Sequence, residues 1–379
     1  MNSLGNQVTK TEKPINIGGE LAGSIGDLGT LLPFVIGAIT FASLDTTSVL
    51  FTFGLMYIFT AWFYQLPVPV QPMKVIGAAI LVQHLTAGEI AAAGLLTGLC
   101  LLGIALSGIT ERIAQWTPKS VTMGIQSGLG ISLALLGIKM VSTDWLLGSI
   151  VMATILILLS NRRFPASIVA LIGGTTLAFL LNPEIKLPHL IWGISLPHFI
   201  WPAGQDFYRG CFQAFLPQLP LTLTNSVLVT SFLASELFPD QSKRVTNRNL
   251  CLTLGIGNLM AAPLGGIPLC HGSGGLAAHY RFGARTKYAT LFIGMILILI
   301  AVLLGSSGLQ IMQMIPAAVL GGLLFYSGLD LIKPIVSDDR CEVFVFTIVL
   351  VLSVAINPGI AFVIGLPLLI ALRRGWIKT

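Results

Sequence analysis

The chain is a succession of apolar runs, each bounded by a charge, a proline or a glycine, with hardly a charged residue inside them. About fourteen such runs follow one another, at roughly 18–40, 46–64, 72–85, 89–110, 119–139, 145–160, 165–182, 211–236, 249–262, 270–282, 287–305, 309–329, 341–356 and 359–373. This pattern leaves few folds open. Charged residues are only 9% of the chain and hydrophobic ones 54%, whereas soluble domains carry about 25% charged residues. The expected solvent is therefore a lipid bilayer, and the expected fold an all-α polytopic membrane protein with about 14 transmembrane segments. The third, ninth and tenth runs are too short to cross about 30 Å at 1.5 Å per residue, which marks broken helices.

Charge placement tests the count. With the N-terminus in the cytoplasm and strict alternation, 17 of the 21 Lys and Arg fall on the cytoplasmic side, as the positive-inside rule requires. Lys139, Lys186 and Arg209 fall outside, and Lys74 alone lies within the membrane region. The net charge of +6 thus reads as topology, and no nucleic-acid partner is implied. Residues 1–17, with Lys10, Glu12 and Lys13, read as a cytoplasmic tail without a signal peptide's apolar core, and 374–379 as a second cytoplasmic tail. Residues 183–210 read as an extracytoplasmic connector along the interface. The five cysteines form no CxxC pair, the histidines show no metal spacing, and there is no P-loop. Neither metal nor cofactor is expected, ATP-driven transport has no support, and no acid pair or metal set suggests an enzyme.

An internal repeat is visible. Ile113, Gln115, Pro118, Val121 and Gly124 recur as Ile311, Gln313, Pro316, Val319 and Gly322, at an offset of 198 residues. The same offset carries Asp27 to Asn225, Gly77 to Gly275 and Met73 to His271. Two repeats, 18–182 and 211–373, are expected, with seven segments each. An odd number inverts the second copy, the 7+7 inverted repeat of many secondary transporters, whose cargo binds at broken helices near the midplane.

Two such breaks correspond under the offset. The first runs Pro67, Pro69, Gln71, Pro72, Met73, Lys74, where prolines hold the backbone extended and Pro72 suits a helix start. The second runs from Pro263 through Pro268, Cys270, His271, Gly272, Ser273, Gly274 and Gly275. Free N–H groups at both helix starts, each worth about half a positive charge, together with Lys74 sum to about two positive charges. That suits a small dianionic oxyanion. Gln71, His271 and Ser273 add donors, and the glycines admit close backbone approach. Asp27 lies about 15 Å into the first span, where an acid is a functional candidate. It either pairs with Lys74 or takes up a proton when the anion binds, which makes the carrier a proton symporter. Asn225 and Ser226 are neutral donors in the second half. Thr30, Gln126 and Ser127 are further polar positions for lining a cavity. Glu20 and Glu236 fall near the interfaces, where solvation or pairing is expected.

The residues Gly26-Asp27-Leu28-Gly29-Thr30 with Pro33, Pro69 to Lys74, Leu219-Pro220-Leu221-Thr222 with Asn225-Ser226, and His271 to Ala277 with Tyr280 to Arg285 resemble the molybdate transporter family, a distant branch of the sulphate permease group. The resemblance implies a 7+7 inverted repeat with a core half and a gate half, as in sulphate permeases and nucleobase transporters, and an anion carried by the third and tenth segments. It implies molybdate as cargo, with tungstate and sulphate as related oxyanions. A proton or sodium is the expected coupling ion and a homodimer the expected assembly. The residues themselves say only small oxyanion. They leave open a sulphate- or bicarbonate-type carrier, a nucleobase carrier, which Asn225 in place of an acid disfavours, and an anion channel. After the last run, at Thr379, no soluble regulatory domain like that of typical sulphate permeases is expected. The expected location is the plasma membrane.

Overall fold

Apolar runs punctuated by proline and glycine become helices of very unequal length. A computed structural model of the chain describes residues 16–110, 118–159, 161, 164–182, 190–374 and 376. The expectations placed on Lys10, Glu12, Lys13, Arg112, Ile113, Gln115, Arg162, Arg163, Lys186 and His189 lie outside the described residues. The helices are α1 (Ile17–Ser24), α2 (Leu28–Phe41), α3 (Thr46–Tyr64), α4 (Lys74–Gln83), α5 (Ala87–Ser107), α6 (Lys119–Val141), α7 (Trp145–Leu158) and α8 (Ala166–Leu181). A continuous helical stretch, α9, covers 206–237 and contains two π-helical segments, Gly210–Phe215 and Thr222–Val229. Then come α10 (Asn247–Ala261), α11 (Ser273–Arg281), α12 (Lys287–Gln313), α13 (Ala317–Leu331), α14 (Arg340–Ala355) and α15 (Pro358–Arg373). Among the described residues, five helical spans are long and apolar enough to cross a bilayer: Ile17–Phe41, Thr46–Tyr64, Ala87–Ser107, Lys119–Val141 and Lys287–Gly305. A further pair, Ser307–Gln313 and Ala317–Leu331, is bent by 83° at Met314 to Pro316.

The helix ends follow local chemistry. Asp45 caps α3 through Ser48 N–H at 2.7 Å, and Thr86 with Glu89 forms a reciprocal capping box on α5. Of the solvation or pairing expected of Glu20, the structure shows the second. It is buried, and its Oε1 accepts from the N–H groups of Arg285 and Thr286 at 3.0 and 3.1 Å, which closes the loop entering α12. A carboxylate facing a helix start replaces water there.

Packing sorts the helices into two groups. The first holds α1–α5 and α9–α12, with α3 running along α12 and α5 along α10. The second holds α6–α8 and α13–α15, with α6 against both α13 and α14. Backbones meet closely in this second group. A Cβ on Gly130 would stand 2.6 Å from the carbonyl oxygen of Gly328, and one on Gly328 would stand 2.6 Å from that of Gly130. Only glycine permits that approach. Large apolar side chains such as Leu156, Ile157, Leu180 and Leu299 remain exposed on the outside, as a lipid-facing surface requires. The connector 190–205 is not helical. It lies extended against the first group, with Ser195 N–H on the Val302 carbonyl at 2.8 Å and His198 N–H on Ser48 Oγ at 2.9 Å.

Candidate functional site

The two proline-rich breaks meet. The residues before α4 and α11 form two short strands, β1 (Gln71–Pro72) and β2 (Leu269–Cys270), paired antiparallel with Gln71 opposite Cys270 and Pro72 opposite Leu269. Prolines limit the ladder because they lack a donor, so side chains complete it. Asn258 of α10 takes both backbone groups of Leu269, at 2.8 and 2.9 Å. Met73 N–H reaches the Pro268 carbonyl at 2.9 Å. The pairing sets the first turns of α4 and α11 side by side.

Their N-termini are not equivalent, which departs from the expectation of two open helix starts. Gln218 of α9 turns its Oε1 onto the N–H groups of Val75 and Ile76, at 2.8 and 3.4 Å, so α4 is already capped. At α11 the cap residue is Gly272, which has no side chain to offer, and the N–H groups of Ser273 and Gly274 carry no hydrogen bond among the described residues. Ser273 Oγ donates to Asn225 Oδ1 at 2.7 Å, linking α11 to the second π segment of α9.

Asp27 sits at the turn between α1 and α2, 2% exposed, and accepts from Gln71 Nε2 at 2.6 Å. Its Oδ2 and Gln71 Oε1 are buried without a hydrogen-bond partner among the described residues. The pair presses on α11: a Cβ on Gly275 would stand 2.5 Å from Asp27 Oδ2 and 2.8 Å from Gln71 Nε2. Ser226 is buried in the same π segment as Asn225.

The expectations for four residues change. Lys74 does not pair with Asp27. Its Nζ lies 2.9 Å from Asp330 Oδ2, on the last turn of α13. His271 is not a free donor. Its Nδ1 donates to the Pro69 carbonyl at 2.8 Å, and its Nε2 takes the Thr253 hydroxyl at 3.0 Å, so the ring braces one break against the other. Met73 is fully buried in the apolar core, and Gln126 lies in α6, also buried; neither reaches the cavity described next.

A cavity of about 340 Å³ opens between the two helix groups. Thr30, Lys74, Gly274 and Arg281 line it from the first group, and Asn161, Ser167, Tyr326, Ser327 and Asp330 from the second side, with Arg281 donating to the Asn161 carbonyl at 3.2 Å. Gln71, Asn225, Ser226, Gly272, Ser273 and Asp27 do not line it; they form the polar layer at and behind the helix starts. Sequence reasoning missed Gln218 and Asp330. A signal for the second exists, since Asp330 is the first charged residue after Lys287. Among the described residues no group of three His, Cys, Asp or Glu side chains is placed to hold a metal. The cavity offers the cations Lys74 and Arg281, one uncapped helix start and hydroxyls, which is binding chemistry.

Solved structures share this architecture. The chain matches the transmembrane domain of the cyanobacterial bicarbonate transporter BicA with a TM-score of 0.71 and 20% identity, over 93% of this chain and 98% of that one. It matches murine Slc26a9, an anion transporter in the inward-facing state, with a TM-score of 0.70 and 12% identity, over 98% of this chain and 70% of that one. These likenesses give the chain the fold of these two proteins, and among the described residues five of its helical spans are long and apolar enough to cross a bilayer. In sequence, a family profile described as molybdate transporter of the MFS superfamily matches residues 19–133 and 210–331. Molybdate transporter 2 of Arabidopsis thaliana is 30% identical over 363 residues, 82% of this chain and 77% of the relative. Molybdate transporter 1 of Chlamydomonas reinhardtii is 26% identical over 470 residues, 92% of this chain and 90% of the relative. The chain belongs to the molybdate transporter family, and it is a transporter rather than an enzyme. The family description names the MFS superfamily, but the fold is that of BicA and Slc26a9.

Proposed function

We propose that the protein is a secondary active importer of molybdate, working by alternating access between its two helix groups. The observation that carries this reading is the pairing of β1 with β2, which brings Lys74 and the uncapped start of α11 to one cavity. A helix N-terminus beside an ammonium, with hydroxyls around it, suits a tetrahedral oxyanion. The relatives named as molybdate transporters narrow the oxyanion to molybdate.

The inverted repeat, 18–182 against 211–373, belongs to the same proposal. Gly130 and its offset mate Gly328 face each other reciprocally, and the strand pairing survives exchange of the halves, since Leu269 and Cys270 are the mates of Gln71 and Pro72. Both are what a twofold axis in the membrane plane produces. Asn161 and Arg281, which line the cavity, belong to segments that the positive-inside rule puts toward the cytoplasm, and this supports cytoplasmic termini and a cavity open to the inside. Asp27 is the proposed coupling group. A carboxylate with one buried oxygen that has no hydrogen-bond partner among the described residues is poised to take a proton when a dianion arrives nearby.

The test is uptake into liposomes holding the purified protein. Saturable molybdate uptake that excess sulphate barely inhibits, and that Lys74→Ala abolishes, supports the reading. Asp27→Asn is expected to retain downhill flux and lose proton-driven accumulation; unchanged accumulation in that variant sinks the coupling role. Likeness to BicA favours bicarbonate as the second reading, and uptake of bicarbonate without molybdate would replace the first.

A further inference from the structure

Lys74 and Asp330 are 256 residues apart and belong to different helix groups, yet they meet at 2.9 Å inside the cavity. The two ends of this ion pair are unequal. The Lys74 side chain is 17% exposed and the Asp330 side chain 45%. Asp330 has a second cation, Lys333, whose Nζ lies 3.7 Å from its other oxygen. An ammonium with so little water needs an anionic partner. The carboxylate, by contrast, keeps water and Lys333 when Lys74 is taken from it. Asp330 is therefore the exchangeable member of the pair.

We infer that Asp330 is a built-in competitor of the transported anion for Lys74, and that it selects for doubly charged cargo. The inference rests on the proposed function and adds a specificity residue to that site. An incoming anion must displace the carboxylate. A monoanion gives Lys74 only the charge it already had. A dianion carries a second charge toward the Gly274 N–H at the start of α11, and that surplus drives the exchange. Discrimination thus comes from a repulsive element in the site as well as from attraction. The exchange also unties α4 from α13, so the cargo itself releases a contact between the two helix groups. On release, Asp330 returns to Lys74 and helps expel the anion.

The experiment measures molybdate uptake by proteoliposomes with nitrate as the competing monoanion. Nitrate in large excess leaves wild-type uptake intact. In Asp330→Asn the KM for molybdate falls by about tenfold, the scale of one charge-assisted contact. In the same variant the maximal rate also falls, because release is slower, and nitrate now inhibits. Asp330→Glu, which can remake the pair, recovers the discrimination. A purely structural role would lower the maximal rate without changing selectivity. Strong nitrate inhibition of the wild type, or an Asp330→Asn protein with wild-type KM and nitrate resistance, overturns the inference while leaving the carrier reading in place. A wild-type protein that carries no oxyanion overturns the proposed function and this inference with it.

Discussion

At Gly275 a single hydrogen atom makes room for the Asp27–Gln71 pair. The Cβ of an alanine would stand 2.5 Å from Asp27 Oδ2 and 2.8 Å from Gln71 Nε2, closer than real side-chain carbons come. Overpacking of this kind costs about 1–3 kcal/mol, and here the strain falls on the hydrogen bond that orients the buried carboxylate. Gly275→Ala is therefore expected to insert but to lose most molybdate uptake, measured at matched protein density in liposomes. Uptake equal to wild type would show that the Asp27–Gln71 contact has slack. Glycine at this position was legible in the sequence as a break before a short helix. The carboxylate that demands it was not, because Asp27 lies almost 250 residues earlier.

Broken helices need their loose ends tied, and here the ties are side chains from other helices. His271 joins the Pro69 carbonyl to Thr253, and Tyr64 Oη lies 2.6 Å from that same threonine hydroxyl. Thr230 Oγ1 holds the His271 carbonyl at 2.7 Å. Leaving a buried carbonyl and hydroxyl without partners costs about 1–3 kcal/mol. His271→Ala should lower the melting temperature of the detergent-solubilised protein clearly, and His271→Gln, which keeps one donor, should recover part of the loss. No shift in either variant would mean that the two breaks hold each other through the β1–β2 ladder alone. The breaks themselves were readable, since proline and glycine restrict the backbone wherever they stand. The caps were not. Nothing local to Gln218 says that it closes α4, more than 140 residues before it in the chain.

Across the whole molecule, two helix groups share a cavity and face lipid elsewhere. In the second group α6 and α13 touch backbone to backbone at Gly130 and Gly328. Gly328→Val would force them apart over the full length of the contact, so the protein should be recovered in aggregated form or with a strongly reduced melting temperature on size-exclusion and thermal assays. A well-behaved monodisperse variant would show that the groups tolerate a wider crossing. At the outer rim, Trp192 and Trp201 of the connector are 67% and 76% exposed, the placement of an interfacial aromatic belt. Brominated lipids should quench their fluorescence, and the quenching should be smaller in a variant with phenylalanine at both positions, the remainder coming from the exposed Trp62, Trp145 and Trp376.

What the sequence determined by itself was everything governed by local rules. Apolar runs with few charges dictate a membrane solvent, prolines and glycines dictate where helices break, and the charge asymmetry orients the expected topology. The motifs from Gly26 to Thr30, from Pro69 to Lys74 and from His271 to Ala277 were enough to point to the family. Tertiary structure alone decided the partners: Lys74 with Asp330 instead of Asp27, His271 as a brace, one helix start capped and the other open. The physical reason is range. Backbone preference and hydropathy act over a few residues, whereas an ion pair or a cap depends on which helix faces which, and packing settles that across hundreds of residues.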